Sequence, residues 1–432
     1  MRALLYYAVT LLAITHSSAS ESKPNVIVFF IDDLGYADTG FGGSKFHQTP
    51  AIDQLAGQGA NFSNAYSAHP VCSPTRAAFL TGKAPQRVGI TQWISGAKPF
   101  LAPEETTIAE ALRDGGYTTG YIGKWHVGKD DEHRPDKQGF EWIAAVNRAG
   151  QPASYFAPYR SKRKTTDVPD LDDDLEGSYL TDSLTRLAIE FIDQPKEKPY
   201  FLCFAHYAVH TPVEAPKPLV ETYKKRANDH YGKLSTPLIE QRYGAVSRGR
   251  QDHPTYAAMV ENLDTNVGRI IKHLEENGEL ENTLIVFTSD NGGLSTLTKS
   301  PGPTSNLPFR AGKGWNYEGG IRIPTFFYWK GNISPLSTTT PLTSTDLFPT
   351  VLDLVGLPLL PQHHLDGTSL AKSIRGEATP DLDNRILGWH YPHKHGSGHQ
   401  PSSAIRKGAW KLIRFEQGER FELYNLEKDP RE

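Results

Sequence analysis

Cysteine is scarce: the 432 residues contain two, Cys72 and Cys203. A disulfide framework needs more, and no cysteine or histidine cluster sits beside the acidic residues discussed below, which argues against zinc. Cys203 lies in the apolar run Tyr200–Ala205 and reads as a small core residue on a buried strand, so Cys72 is left unpaired and open to chemistry. Excess charge of either sign is also missing. Lys and Arg number 46 against 49 Asp and Glu, a formal net charge of -3, so the chain has no polybasic signature for nucleic acid and must meet a charged substrate with local groups. Long hydrophobic runs are lacking too. The stretch Ala3–Ile14, after Met1-Arg2 and before Ser17-Ser18-Ala19-Ser20, is too short for a membrane span and reads as a signal peptide over residues 1–20, cut near Ala19 or Ser20. The mature chain is therefore expected to be exported, secreted or periplasmic, with no membrane span. Internal repeats are absent.

The composition, 38% hydrophobic and 22% charged, suffices for one large core or two unequal domains. The continuous apolar run Val26–Ile31 reads as a strand buried on both faces of a parallel sheet, Tyr200–His206 and Leu284–Thr288 read as further buried strands, and Gly116–Ile122 reads as a short one. Helical patterns separate them at Pro50–Leu55, Pro74–Leu80, Ile108–Leu112, Leu180–Ile192, Leu263–Leu274 and Leu347–Val355; Thr107 and Glu110 have capping-box spacing. The alternation predicts an α/β fold, a large mostly parallel sheet sandwiched by helices over residues 21–356. From residue 357 to 432 shorter alternating stretches at Arg385–Tyr391, Ala404–Arg406, Trp410–Phe415 and Phe421–Leu426 predict a small antiparallel subdomain. The Pro-, Gly- and charge-rich segment 127–176 reads as surface loops, and its acidic end, Asp170–Glu176, as a solvated face.

Four of the apolar strands run into chemistry-bearing residues: Asp32-Asp33, Gly123-Lys124-Trp125-His126, Val209-His210-Thr211-Pro212, and Ser289-Asp290-Asn291-Gly292. Ligands of open α/β sheets bind beyond the carboxyl ends of the strands, so these residues are expected to converge. Asp32, Asp33, Asp290 and the amide oxygen of Asn291 are the hard oxygen ligands that a hard divalent cation prefers. The stretch His69-Pro70-Val71-Cys72-Ser73-Pro74-Thr75-Arg76 adds an oxyanion site: Ser73 suits an N-cap and Pro74 the first helical position, placing Cys72 at a helix N-terminus with Arg76 one turn in. Lys313 sits in the glycine-rich loop Phe309–Gly320, where a lysine suggests a role beyond solvation. Taken alone, Cys72 is open to two further readings, a structural cysteine beside a helix cap or a thiolate nucleophile activated by the helix dipole.

The spacing Cys-x-Pro-x-Arg at Cys72–Arg76, followed by Leu80-Thr81-Gly82-Lys83, resembles the signature of the type I sulfatases. The resemblance extends over most of the mature chain and takes in Asp32-Asp33, Gly123–His126, His210-Thr211-Pro212, Asp290–Gly293 and the Lys313 loop through Ile321-Arg322-Ile323-Pro324, in the family's order. It implies an alkaline-phosphatase-like fold and a calcium ion held by Asp32, Asp33, Asp290, Asn291 and residue 72. It implies too that Cys72 is converted to formylglycine by a maturation enzyme, and that the hydrated aldehyde attacks sulfur. Arg76 would support the hydrate, Lys124 and Lys313 would hold sulfate oxygens, His210 with Lys313 would assist departure of the alcohol, and His126 would take the proton that lets sulfate leave. The implied partners are a sulfated carbohydrate or aryl sulfate, with loops resembling arylsulfatase and N-acetylgalactosamine-6-sulfatase enzymes. Asn147 is a candidate further sulfate contact. Family chains continue beyond the segment Asn425–Pro430, so the C-terminal subdomain is expected to be a fragment or to lack a packing element. The tract His390, His393, His395, His399 is read as an exposed loop rather than a metal cluster, part of it lining the substrate mouth with Asn147-Arg148. A phosphate or phosphonate monoester hydrolase and a non-catalytic binder of sulfated glycans are the competing functions.

Overall fold

The computed structural model describes residues 23–96, 99–162, 164–418 and 420–432; the expected signal peptide lies outside the described residues. Its centre is strand β1 (Asn25–Ile31), seven residues buried on both faces, as the continuous Val-Ile-Val-Phe-Phe-Ile run requires. Around it the chain adds β2 (Ala60–Phe62), β3 (Thr118–Gly123), β4 (Trp142–Ala144), β5 (Tyr200–Ala205), β6 (Thr283–Ser289), β7 (Phe326–Tyr328) and β8 (Leu336–Thr338), in the spatial order β8-β2-β7-β6-β1-β5-β3-β4. All neighbours are parallel except β7, which runs antiparallel to both β2 and β6. Helices cover both faces. Leu180–Asp193 and Pro254–Glu276 pack with β1 residues Ile27, Phe29 and Ile31 on one side, while Cys72–Thr81, Ile108–Asp114 and Leu347–Leu354 pack with Val26, Val28 and Phe30 on the other. Cys203 is fully buried on β5, and both cysteines are free. Among the described residues no helix is long and apolar enough to cross a membrane.

A separate sheet of four antiparallel strands follows, β9 (Ile386–Tyr391), β10 (Ser402–Lys407), β11 (Trp410–Phe415) and β12 (Arg420–Asn425), paired in sequence order. Its inner face, Leu387, Trp389, Ala404, Ile413 and Phe415, packs on Trp315, Tyr317 and Ile321 of the Lys313 loop region. Lys411, fully buried, reaches across to Glu318 at 2.9 Å and Glu432 at 2.8 Å. The small sheet therefore braces the loop that carries Lys313.

Three expectations are corrected. The helix at Cys72 begins two residues early: Val71 is its N-cap and Cys72 its first residue, because the Ser73 hydroxyl is engaged by the loop Thr91–Ser95, accepting from the Ile94 N–H at 3.0 Å. The helix from Leu263 instead starts at Pro254, where the His253 ring caps it by accepting from the Tyr256 N–H. The histidine tract is not uniformly an exposed loop. His390 is exposed, but His399 is buried, stacked on Tyr391 with ring centroids 4.9 Å apart and edge-on to Trp315 at 5.5 Å. Gly398 at φ +91° permits that close approach to Trp315.

Candidate active site

The register of the central strands explains why separated motifs meet. Ile31 is level with Ser289, Phe30 with Ala205, and Gly123 with Ala205. Asp32, Asp290, His206 and Lys124, each one residue beyond its strand, form a row held by three further ladder hydrogen bonds: Asp290 N–H to Ile31 O at 3.0 Å, His206 N–H to Phe30 O at 3.0 Å, and Lys124 N–H to Ala205 O at 2.8 Å. The site is thus a continuation of the sheet. Asp33 and His126 adopt left-handed φ values of 60° and 59°, a conformation that non-glycine residues favour little and that turns each chain out of its strand and into the pocket.

The buried charges form a lattice. Lys124 is 2.5 Å from Asp32, Lys313 is 2.6 and 2.9 Å from the two Asp33 oxygens, and Arg76 donates from Nε to Asp290 at 3.0 Å with Nη2 at 2.8 Å. Arg76 also donates to the Lys124 carbonyl at 2.7 Å, tying the helix to β3. Burial raises the Asp33 carboxyl, but Lys313, His210 and Lys124 outweigh it and hold the group below the usual range. Asp290 is likewise held low, Arg76 and Lys124 offsetting its burial. Asp32 behaves differently: burial, reinforced by Asp290 and Asp33, pushes its carboxyl well up despite Lys124. Such a carboxylate calls for more positive charge than the protein supplies.

Asp32, Asp33 and His210 offer ligand atoms all within 4.8 Å of one another. The buried Oδ1 atoms of Asp32 and Asn291 have no hydrogen-bond partner, although Asn291 donates its amide N–H to Asp33 at 2.8 Å. Two orphaned oxygens beside an over-charged acidic group are what a hard cation satisfies, so the donor set fits a divalent oxygen-liganded metal. Asp290 contributes less freely, since Arg76 takes Oδ2 and the Asp33 N–H donates to Oδ1 at 3.1 Å.

Cys72 faces His126, Sγ to Nδ1 3.2 Å, and His126 Nε2 lies 3.0 Å from the Ile94 carbonyl. Because a carbonyl only accepts, Nε2 carries the proton and Nδ1 presents its lone pair to residue 72. Burial and Lys124 keep His126 neutral by lowering it well below the usual histidine range. Burial pushes the Cys72 thiol up, outweighing Lys124 and Lys313, so the pair is a thiol beside a neutral base and not a preformed thiolate. His210, its Nε2 3.7 Å from Asp33, is pushed down to about 3 by burial and by Lys313.

These groups open into a cavity of about 510 Å³ lined by Cys72, His126, His210 and Lys313, together with Trp93, Lys129, Gln151, Thr166 and His395. Of the sequence-predicted set, Asp32, Asp33, Cys72, Arg76, Lys124, His126, His210, Asp290, Asn291 and Lys313 all meet here. Asn147 does not join as a sulfate contact. Its amide donates to the Gln151 and Thr166 carbonyls at 2.8 and 3.2 Å, fastening the loop that carries Gly150, and Arg148 turns away to pair with Asp131. His395 does line the cavity, burial and Lys313 lowering it to about 4. Sequence reasoning missed the Ile94 carbonyl, Gly150, Trp93, Lys129, Gln151 and Thr166. Gly150 lies so close to His126 that a Cβ would fall 2.1 Å from the ring carbon Cε1. Gly150→Ala is therefore expected to tilt His126 off residue 72 and lower kcat by about tenfold or more, with the melting temperature nearly unchanged. Steady-state kinetics beside a thermal melt check this, and an unaltered kcat would show that the ring yields freely.

A sheet-end oxyanion pocket with a hard-metal donor set and a base aimed at one nucleophile position defines the class, a hydrolase of charged tetrahedral esters. The chain belongs to the sulfatase family, a family of sulfuric ester hydrolases: the model for Sulfatase matches residues 24–357, and that for N-sulphoglucosamine sulphohydrolase, C-terminal, matches 311–432. It is similar to human N-acetylgalactosamine-6-sulfatase, 32% identical over 384 residues that cover 83% of this chain and 67% of that protein. It is similar also to human arylsulfatase A, 33% identical over 421 residues covering 94% and 78%. The chain spans about two thirds of the length of the curated N-acetylgalactosamine-6-sulfatases it matches. Among solved structures, Ps i-CgsB in complex with k-i-k-neocarrahexaose superposes with a TM-score of 0.78 at 33% identity, covering 95% of this chain and 88% of that one. The fold, alkaline-phosphatase-like, is shared with the phosphonate monoester hydrolase of Agrobacterium radiobacter at a TM-score of 0.65 and 20% identity, covering 94% of this chain and 90% of that one.

Proposed function

We propose that this chain hydrolyses sulfate monoesters of a sulfated carbohydrate, with residue 72 oxidised from cysteine to formylglycine and calcium at the acidic cluster. The observation that carries the reading is the pairing of a neutral His126 with a residue 72 that is a poor thiolate: the base is ready, and the side chain it faces needs conversion to become an oxygen nucleophile. Formylglycine, once hydrated, would supply that oxygen nucleophile and a second hydroxyl. Asp32, Asp33, Asn291 and Asp290 would hold calcium, which would supply charge neutralisation for sulfate oxygens.

The protein's own groups do the rest. Lys124 and Lys313, which neutralise Asp32 and Asp33 in the structure, would take sulfate oxygens once those carboxylates have another counter-charge. Arg76 keeps Asp290 ionised and fixes the helix against β3. His210 lines the cavity and, with the charged Lys313, would assist departure of the alcohol, while the neutral His126 would remove a proton from residue 72. Conversion of Cys72 requires a formylglycine-generating enzyme as partner, and the leader-like residues 1–20 support export to periplasm or medium.

Turnover of 4-nitrophenyl sulfate against 4-nitrophenyl phosphate tests the ester. Sulfate is expected to be preferred by more than about tenfold in kcat/KM. Preference for phosphate would transfer the reading to the phosphate or phosphonate hydrolases that share the fold.

A further inference from the structure

Among the described residues, those lining the cavity include no aspartate or glutamate, yet they include two lysines. Lys313 is spoken for by Asp33. Lys129, the other, has no hydrogen bond or ion pair among the described residues. The carboxylates next to it in sequence are turned elsewhere: Asp130 bonds the His133 ring and Asp131 pairs with Arg148 at 2.7 Å. Lys129 is half-buried, and burial alone lowers its ammonium from the ordinary value, with no carboxylate opposing. A partly desolvated cation that faces a cavity without a counter-ion is suited to an anionic ligand. Trp93, 41% exposed, lines the same space, a flat apolar surface of the kind on which a sugar ring stacks. Gln151 and Thr166 add neutral hydrogen-bonding groups.

We propose that Lys129 is a specificity-determining residue that binds a second anionic substituent of the glycan, a sulfate or a carboxylate, while the scissile sulfate lies at residue 72. The inference rests on the sulfatase reading and deepens it: the preferred substrate carries two negative groups, one cleaved and one read. Lys129 takes no part in bond breaking, so it acts on substrates that carry the second charge and is indifferent to those that do not.

The test compares wild type with Lys129→Gln and Lys129→Arg on three substrates: 4-nitrophenyl sulfate, a sulfated disaccharide bearing a second sulfate, and one bearing a uronate. Lys129→Gln is expected to lower kcat/KM on one or both doubly anionic sugars by about tenfold, mainly through KM, and to leave 4-nitrophenyl sulfate within about twofold. Lys129→Arg should restore most of the loss. The sugar that is affected identifies the second anion as sulfate or uronate. Equal losses on all three substrates, or no loss on either sugar, would overturn the proposal. If wild type releases sulfate from none of them, the sulfatase reading fails separately. Calorimetric binding of the same two disaccharides then decides about Lys129: weaker binding to Lys129→Gln upholds it, and equal binding ends it.

Discussion

Cys72→Ala is expected to remove activity toward sulfate esters by at least about 10⁴-fold, because it deletes the atom to which every other catalytic group is referred. The fold should survive. Cys72 is 2% exposed at the first position of a helix whose remaining residues are all buried, and alanine fits a helix while losing one sulfur's worth of packing, a cost of about 1 kcal/mol. A folded but inactive protein, by circular dichroism and sulfate release, is the predicted pair of results. Wild-type protein made without the maturation enzyme should be equally inactive, since a buried, raised thiol next to a neutral histidine is a weak nucleophile. Substantial activity in either preparation would mean that residue 72 does not carry the reaction.

The acidic cluster supports a prediction as large, with a different signature. Asp290→Ala leaves the fully buried Arg76 without its closest anion, and breaking a buried ion pair from one side costs about 3–5 kcal/mol. This variant should melt much lower and be inactive. Asn291→Ala removes an amide that donates to Asp33 but whose Oδ1 lacks a protein partner, and it strands no buried charge, so it should cost activity and metal affinity with less loss of stability. In wild type, chelator should abolish activity and calcium restore it. Calcium at 100 times its dissociation constant should also raise stability by about 2.7 kcal/mol, read as a higher melting temperature. A melting curve and rate indifferent to both chelator and calcium would contradict the assignment of the orphaned oxygens to a metal.

What the sequence showed of this site depended on how far each residue's placement is decided locally. Asp32, Lys124 and Asp290 were legible because each directly follows a strand that the sequence marks, and parallel strands in register deliver their carboxyl ends side by side. The helix Lys217–Tyr231 was missed because its pattern is polar, with only Tyr223 buried. The strands Phe326–Tyr328 and Leu336–Thr338 are three residues each, too short for periodicity to register. Gly150, Trp93 and Lys129 reach the cavity on loops whose course is set by tertiary contacts such as the Asn147 bonds. His395 was assigned to an exposed loop because its pocket is made by a residue far away in sequence: a Cβ at Gly314 would sit 2.2 Å from the His395 ring. The N-cap at Val71 instead of Ser73 has the same origin, since Ile94 claims the serine hydroxyl.

The measurement that tests the central claim most directly is the mass of the tryptic peptide Phe46–Arg76 from protein produced alongside a formylglycine-generating enzyme. The account predicts a peptide lighter than the unmodified sequence by about 18 Da, the change from thiol to aldehyde at residue 72. An unmodified cysteine in protein that nonetheless releases sulfate would contradict it.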